Sequence, residues 1–188
     1  LRARHDQLPV VGVEPALKPA AQASRTGHVG VLGTHGTLAS RRYADLLSRT
    51  RAAFPKVHFS SQACEGLADA IEQDNQPQVQ RLCEESWSSL SRRSPELAPI
   101  DQLVLGCTHY PFASAQLERI CGPHLHLIDP ADAVARQTRR VLSLPPAIPT
   151  TPVLHPKVDW LSTGSPLALG QAARRWVDCE AMVQELPV

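Results

Sequence analysis

The chain has 188 residues and a formal net charge of +1, with 43% hydrophobic and 20% charged residues. That length holds one good domain, or one domain with part of another, and so small a charge excludes the strong field that nucleic acids or anionic membranes select. No apolar run approaches the ~20 residues of a membrane span, no signal-peptide pattern opens the sequence, and the five scattered cysteines suit reduced thiols in the cytoplasm.

In chain order, Leu1 to Gln7 reads as the last turns of a helix, and a start at Leu1 in place of Met leads us to expect sequence upstream. Pro9 to Val13 reads as a strand broken by Glu14-Pro15-Ala16. His28 to Leu32 is the next strand and runs into the turn Gly33-Thr34-His35-Gly36-Thr37. Thr37 suits the cap of a helix whose Tyr43, Leu46, Leu47, Thr50 and Phe54 share one face. Thr34 and Thr37 serve either as turn and cap residues or as contacts to an anionic group, since such turns also cradle anions. Val57 to Phe59 is a short strand. After Gln62 to Leu67, a helical stretch ends at Glu72, which on spacing alone is a solvated carboxylate. Cys64 reads as structural. A polar break at 74–77 precedes an amphipathic helix with Val79, Leu82, Cys83 and Ser86 on one side, continuing to Leu90 before a loop at 91–99.

Leu103 to Leu105 then reads as a buried strand of a parallel sheet, stopped by Gly106. Pro111 suits the first position of a helix carrying Leu117, Ile120 and Cys121, ended by Gly122. Cys107 therefore falls at a strand-to-helix turn, where open α/β sheets bind ligands. A helix N-terminus there stabilises a thiolate, and His109 is an acid, base or charge partner. The alternatives are a small core cysteine, or a Cys-x-His zinc pair, for which no second pair stands at ligand spacing. Leu125 to Ile128 is another strand, followed by a helix from Asp132 through Val134, Thr138 and Val141. Pro145 to Pro156 reads as an extended connector. Trp160 to Pro166 repeats the strand–turn–helix pattern, with Leu169, Ala172, Ala173 and Trp176 on the apolar side of the last helix, and Glu180 to Val188 carries no chemical signal. Strands alternating with helices predict an α/β fold with mainly parallel sheets.

The string Gly106-Cys107-Thr108-His109-Tyr110-Pro111 resembles the second-cysteine motif of the glutamate racemases, in the aspartate/glutamate racemase superfamily. Val10 to Ala20 is similar to the family's VVGVxPAxKPA stretch, Gly33 to Thr37 to its ATxGT turn, Leu127 to Gln137 to LIDPAxAVAxQ, and Ser162 to Pro166 to TTGxP. Ala63 to Glu72 resembles the ACPGLxxxxE stretch of proteobacterial-type members, with Glu65 in place of the proline. The resemblance covers nearly the whole chain.

It implies two flavodoxin-like lobes, the first incomplete: residues 1–27 as a remnant of the first lobe, 28–126 as the second α/β lobe carrying Cys107, and 127–188 as the return to the first. The family's Cys-Asn-Thr-Ala segment, with the first catalytic cysteine, and its Asp-Ser-Gly and Pro-Tyr-Gly loops are not among the 188 residues, so the chain alone is expected to be inactive. The implied activity is the two-cysteine interconversion of L- and D-glutamate, with no cofactor and no metal, supplying D-glutamate for peptidoglycan. Cys107 would deprotonate the L-enantiomer, His109 would assist it, and Glu72 would be a further polar group of the site. Thr108 would hold the substrate carboxylate, with Thr34 and Thr37 as further contacts. Glutamate is the implied partner. A cell-wall precursor as activator and a homo-oligomer are further partners the family admits, while nucleic acid and membrane are not expected. Two other readings are a racemase for a related amino acid such as aspartate, and a non-catalytic remnant that acts as a binding or regulatory protein.

Overall fold

The computed structural model describes residues 9–143 and 158–187. The helix end expected over Leu1 to Gln7 and the connector Pro145 to Pro156 lie outside the described residues. The chain divides into two compact units, Leu1–Leu144 and Pro145–Val188.

In the larger unit, β1 (His28–Gly33), β2 (His58–Ala63), β3 (Gln102–Leu105) and β4 (His126–Ile128) form one parallel sheet in the order β2-β1-β3-β4. All six residues of β1 and all four of β3 are buried. Central strands of a parallel sheet are covered on both faces, which is why Val29 to Leu32 and Leu103 to Leu105 read as apolar runs, each behind one buried polar residue, His28 and Gln102. The edge strand β2 is longer than the Val57 to Phe59 expected, because six residues pair with β1 although Ser60, Ser61 and Gln62 are polar. Along its open edge the guanidinium groups of Arg51 and Arg93 donate to the carbonyls of Phe59 (3.4 Å) and Ser61 (3.1 Å), and charged side chains at an edge discourage further strand pairing.

The helices of this unit are α1 (Leu17–Ala23), α2 (His35–Leu38), α3 (Arg41–Ala53), α4 (Leu67–Glu72), α5 (Gln76–Ser91), α6 (Ser114–Cys121) and α7 (Ala131–Val141). Leu17, Ala20 and Ala21 of α1, three and four residues apart, are buried in one core with Val29, Val31, Tyr43, Phe59 and Val104. That helix was not anticipated. Conversely, the strand expected over Pro9 to Val13 is not formed: residues 9–16 carry no regular structure, and no described strand pairs with them. A strand needs a hydrogen-bonding neighbour, and an apolar run alone does not supply one.

The segment between α1 and β1 is clamped to the start of β3. Ser24 Oγ (2.6 Å) and the amides of Arg25 (2.6 Å) and Thr26 (3.2 Å) donate to the Asp101 carboxylate. Burial works against that charge, but the hydroxyl and amide donors outweigh it and hold the Asp101 carboxyl below its ordinary value.

In the smaller unit, β5 (Trp160–Ser162), α8 (Pro166–Val177) and β6 (Val183–Glu185) make a β–α–β unit, with β5 and β6 parallel. Ser165 caps α8 by accepting the Ala168 amide at 3.2 Å, with Pro166 in the first turn. Strand β6 had no signal in the sequence; it forms because β5 offers it a partner.

Candidate active site

The strand order places one break in the winding. From β1 the chain steps to one side for β2, then crosses to the other side of β1 for β3. Leu32 and Leu105 are register partners, so the loops leaving β1 and β3 diverge side by side at the carboxyl edge. Such a switch point is where open α/β sheets bind ligands. The loops there are Thr34 to Thr37 after β1 and Gly106 to His109 after β3, with Cys64 to Gly66 leaving β2 beyond them.

Gly106 is set by a close approach. Its amide donates to the Leu32 carbonyl at 2.7 Å, and a Cβ on it would lie 2.6 Å from that same oxygen. Cys107 follows, half-buried, with Sγ 3.9 Å from Nδ1 of the half-buried His109, within the reach of a sulfur hydrogen bond. The Tyr110 amide closes the turn on the Cys107 carbonyl at 3.2 Å, and the Phe112 amide does the same on His109 at 3.1 Å. These bonds span three residues, so Tyr110–Ala113 is a 3₁₀ turn, and α6 begins only at Ser114. The α-helix expected to start at Pro111 is thus displaced by three residues. Pro111 brings no amide to an α ladder, and the tight turn takes its place. Cys107 accordingly lies ahead of a 3₁₀ turn and not at the start of an α-helix; the group the fold sets beside its thiol is His109.

Thr34, not Thr37, is the cap. Its Oγ1 accepts the Thr37 amide at 3.2 Å and donates to Thr37 Oγ1 at 2.9 Å, opening the short α2. A second cap, Ser40, accepts the Tyr43 amide at 3.1 Å to start α3. The extra turn arises because two capping residues stand in succession where one was expected. Thr34 and Thr37 are half-buried and Thr108 is exposed. Glu72 is the exposed last residue of α4; among the described residues no hydrogen bond or ion pair joins it to Cys107 or His109. The fold therefore pairs Cys107 with His109, and Thr34 with Thr37 on the neighbouring turn, and leaves Glu72 at the far end of its helix.

Three further thiols of this unit are buried more deeply or shifted by burial. Burial pushes the Cys64 thiol up, and burial first, then neighbouring charges, push Cys83 and Cys121 to about 12. All three stay protonated at neutral pH and are poor nucleophiles. Cys64 is a structural part of the site: its amide donates to the Gly33 carbonyl at 2.9 Å, and its own carbonyl accepts the Tyr110 hydroxyl at 3.2 Å. Among the described residues no group of three or more His, Cys, Asp or Glu side chains is placed to hold a metal ion, and no helix is long and apolar enough to cross a membrane.

Comparison with known proteins adds the family. The Asp/Glu/Hydantoin racemase family matches residues 1–138. The chain belongs to that family. Within it, the chain is 43% identical over 145 residues to the glutamate racemase of Pseudomonas aeruginosa strain PAO1, covering 76% of the chain and 52% of the relative. It is 38% identical over 194 aligned positions to that of Pseudomonas paraeruginosa, covering 100% of the chain and 63% of the relative. The chain thus spans about half the length of the first of these relatives. The crystal structure of glutamate racemase isoform RacE1 from Bacillus anthracis superposes with a TM-score of 0.77 at 27% identity, over 99% of this chain and 68% of that one. Escherichia coli glutamate racemase in complex with L-glutamate and the activator UDP-MurNAc-Ala superposes with a TM-score of 0.76 at 24% identity, over 100% of this chain and 69% of that one. Both share the α/β architecture with parallel sheets that the sequence of this chain predicts.

Proposed function

We propose that this racemase chain serves the cofactor-independent interconversion of L- and D-glutamate, with Cys107 as one of two thiols that work on opposite faces of the substrate. The observation that carries the reading is the half-exposed Cys107 thiol, 3.9 Å from His109 Nδ1 at the switch point of the sheet. Inversion needs one group to remove the α-proton and another to return a proton to the opposite face, and thiols near neutral pH can act either way. From L-glutamate, Cys107 as thiolate takes the α-proton: the C–H bond breaks and an S–H bond forms. A second thiol then gives its proton to the other face and is left as the thiolate; loss of the proton from Cys107 to solvent and uptake of one by the second thiol restore the starting state, and with D-glutamate the two thiols exchange roles. His109 supports the Cys107 thiolate by charge or hydrogen bond. Thr108, exposed beside Cys107, holds the substrate carboxylate, the Thr34–Thr37 turn adds donors on the neighbouring loop, and Glu72 is a further polar group of the closed site.

On the same reading 28–126 is the second lobe, with α1 of the 1–27 segment seated on its sheet, and 127–188 leads to the other lobe. The product D-glutamate feeds peptidoglycan synthesis in the cytoplasm. The activator named in the Escherichia coli complex suggests a cell-wall precursor as a regulator here too, and self-association is a further expectation.

The test is the circular dichroism of L-glutamate during incubation. The resemblance puts the second thiol in a Cys-Asn-Thr-Ala segment, and the 188 residues contain none. The chain by itself should therefore leave the signal unchanged. Joined to the part of the Pseudomonas aeruginosa racemase that it does not match, the completed protein should abolish the signal, and should act on L-glutamate at least about tenfold faster than on L-aspartate, whose missing methylene leaves the carboxylate short of its donors. A completed protein that prefers aspartate, or a chain whose turnover survives Cys107→Ala, contradicts the proposal.

A further inference from the structure

We infer that Tyr110 is a positioning residue, whose hydroxyl sets the Cys107–His109 turn in register with the rest of the carboxyl edge; this rests on reading Cys107 as the reactive thiol. Tyr110 is completely buried, yet it follows directly on the half-exposed His109. Its two polar ends are both used. The amide donates to the Cys107 carbonyl at 3.2 Å, and the hydroxyl donates to the Cys64 carbonyl at 3.2 Å. Cys64 leaves β2, and its amide is in turn fixed to the Gly33 carbonyl at the end of β1. The ring thus forms a strut from the turn after β3, past the end of β1, to the turn after β2. Its far end holds the loop at Cys64, which leads through Gly66 into α4 and whose amide is bonded to Gly33, the residue just before the turn Thr34 to Thr37.

A buried ring that only fills space needs no hydroxyl, and a buried hydroxyl is costly unless partnered. Burial, and then the nearby Cys64 and Cys107 sulfurs, push the phenol up, so it remains a neutral donor and takes no part in proton transfer. Its effect on Cys107 is geometric. Sub-ångström placement of a reacting group has large kinetic consequences, and a turn held only by its own backbone bonds would place the thiol less narrowly.

The structure supplies a matched control. Tyr43 is also buried, and its hydroxyl bonds Ser61 Oγ at 2.6 Å. Tyr43→Phe and Tyr110→Phe delete the same atom from the same kind of site. In the 188-residue chain, iodoacetamide labelling of Cys107, followed by mass spectrometry across a pH series, should change by about threefold or more in Tyr110→Phe, with a displaced pH midpoint. Tyr43→Phe should match the wild type. In the completed protein Tyr110→Phe should lower kcat about tenfold with KM nearly constant. If Tyr110→Phe does not fold, Tyr110→Met fills the space without a hydroxyl and serves in its place. Labelling of Cys107 that is identical in rate and midpoint in the wild type and the hydroxyl-less variants overturns the inference, whatever the racemisation assay shows. Conversely, a completed protein that does not racemise glutamate refutes the functional reading without touching the labelling result.

Discussion

Replacing Cys107 by Ser in the completed protein should stop inversion of glutamate in both directions, lowering the rate by ~10³-fold or more. A serine hydroxyl differs from the thiol by a single atom and fits the half-buried space, so the fold should persist and the thermal midpoint should move by no more than a few degrees. The chemistry, however, does not transfer. The hydroxyl is far too weak an acid to supply a base near neutral pH, and the 3₁₀ segment Tyr110–Ala113 separates position 107 from α6. Both directions should fail together, since in the proposed mechanism the same sulfur is the base for one enantiomer and the acid for the other. Polarimetry or circular dichroism of each enantiomer, with thermal unfolding of the variant alongside, checks the pair of expectations.

Gly106→Ala should be damaging although it adds one methyl group and lies outside the helices and strands. The added carbon would meet the Leu32 carbonyl oxygen at 2.6 Å. That oxygen belongs to the backbone of β1 and accepts the Gly106 amide at 2.7 Å, so neither partner can turn aside as a side chain would. The chain must part from β1 where β3 ends, at a cost of about 1–3 kcal/mol of overpacking. The displacement passes directly to the next residue, Cys107. An ångström at a reacting atom is worth about 10²-fold in rate, so turnover of the completed protein should fall more than stability alone explains. Denaturant unfolding and kcat/KM, measured on the same preparation, separate the two effects. A variant with wild-type kinetics and unchanged stability would show that the close approach does not shape the site.

What could be read from the sequence, and what could not, follows from which physical signal each element leaves. Strands β1 and β3 were legible because covered central strands are dominated by apolar residues, here Val29 to Leu32 and Leu103 to Leu105 behind the buried polar His28 and Gln102. Strand β2 was legible only at its start: it lies at an edge, so Ser60, Ser61 and Gln62 broke the apolar run without breaking the pairing. Helix α1 escaped because its inward face is made of alanines beside Leu17, a weak periodic signal in a stretch that also holds two prolines. The run at Pro9 to Val13 misled in the opposite sense, being apolar yet without a strand to pair with among those described. The turn Gly106 to His109 at the exit of β3 was legible because the apolar run, the glycine and the proline that frame it are contiguous. The misplacements there were of caps: two successive capping residues, Thr34 and Ser40, yield two helices where one was expected, and Pro111 favoured a 3₁₀ turn before α6. The role of Tyr110 was not legible, because its hydroxyl partner stands 46 residues earlier in the chain. Only the folded sheet brings the two strand exits together.

The account stands on Cys107 being the reactive thiol of a substrate cleft, and labelling with iodoacetamide mapped by mass spectrometry reads that directly. Cys64, Cys83 and Cys121 are held protonated by burial, so Cys107 should alkylate well ahead of them. In the completed protein D- or L-glutamate should slow its labelling while leaving that of Cys179, in the other compact unit, unchanged. If Cys107 labels no faster than Cys83, or if glutamate gives it no protection, Cys107 is a structural thiol and the mechanism proposed for this chain is wrong.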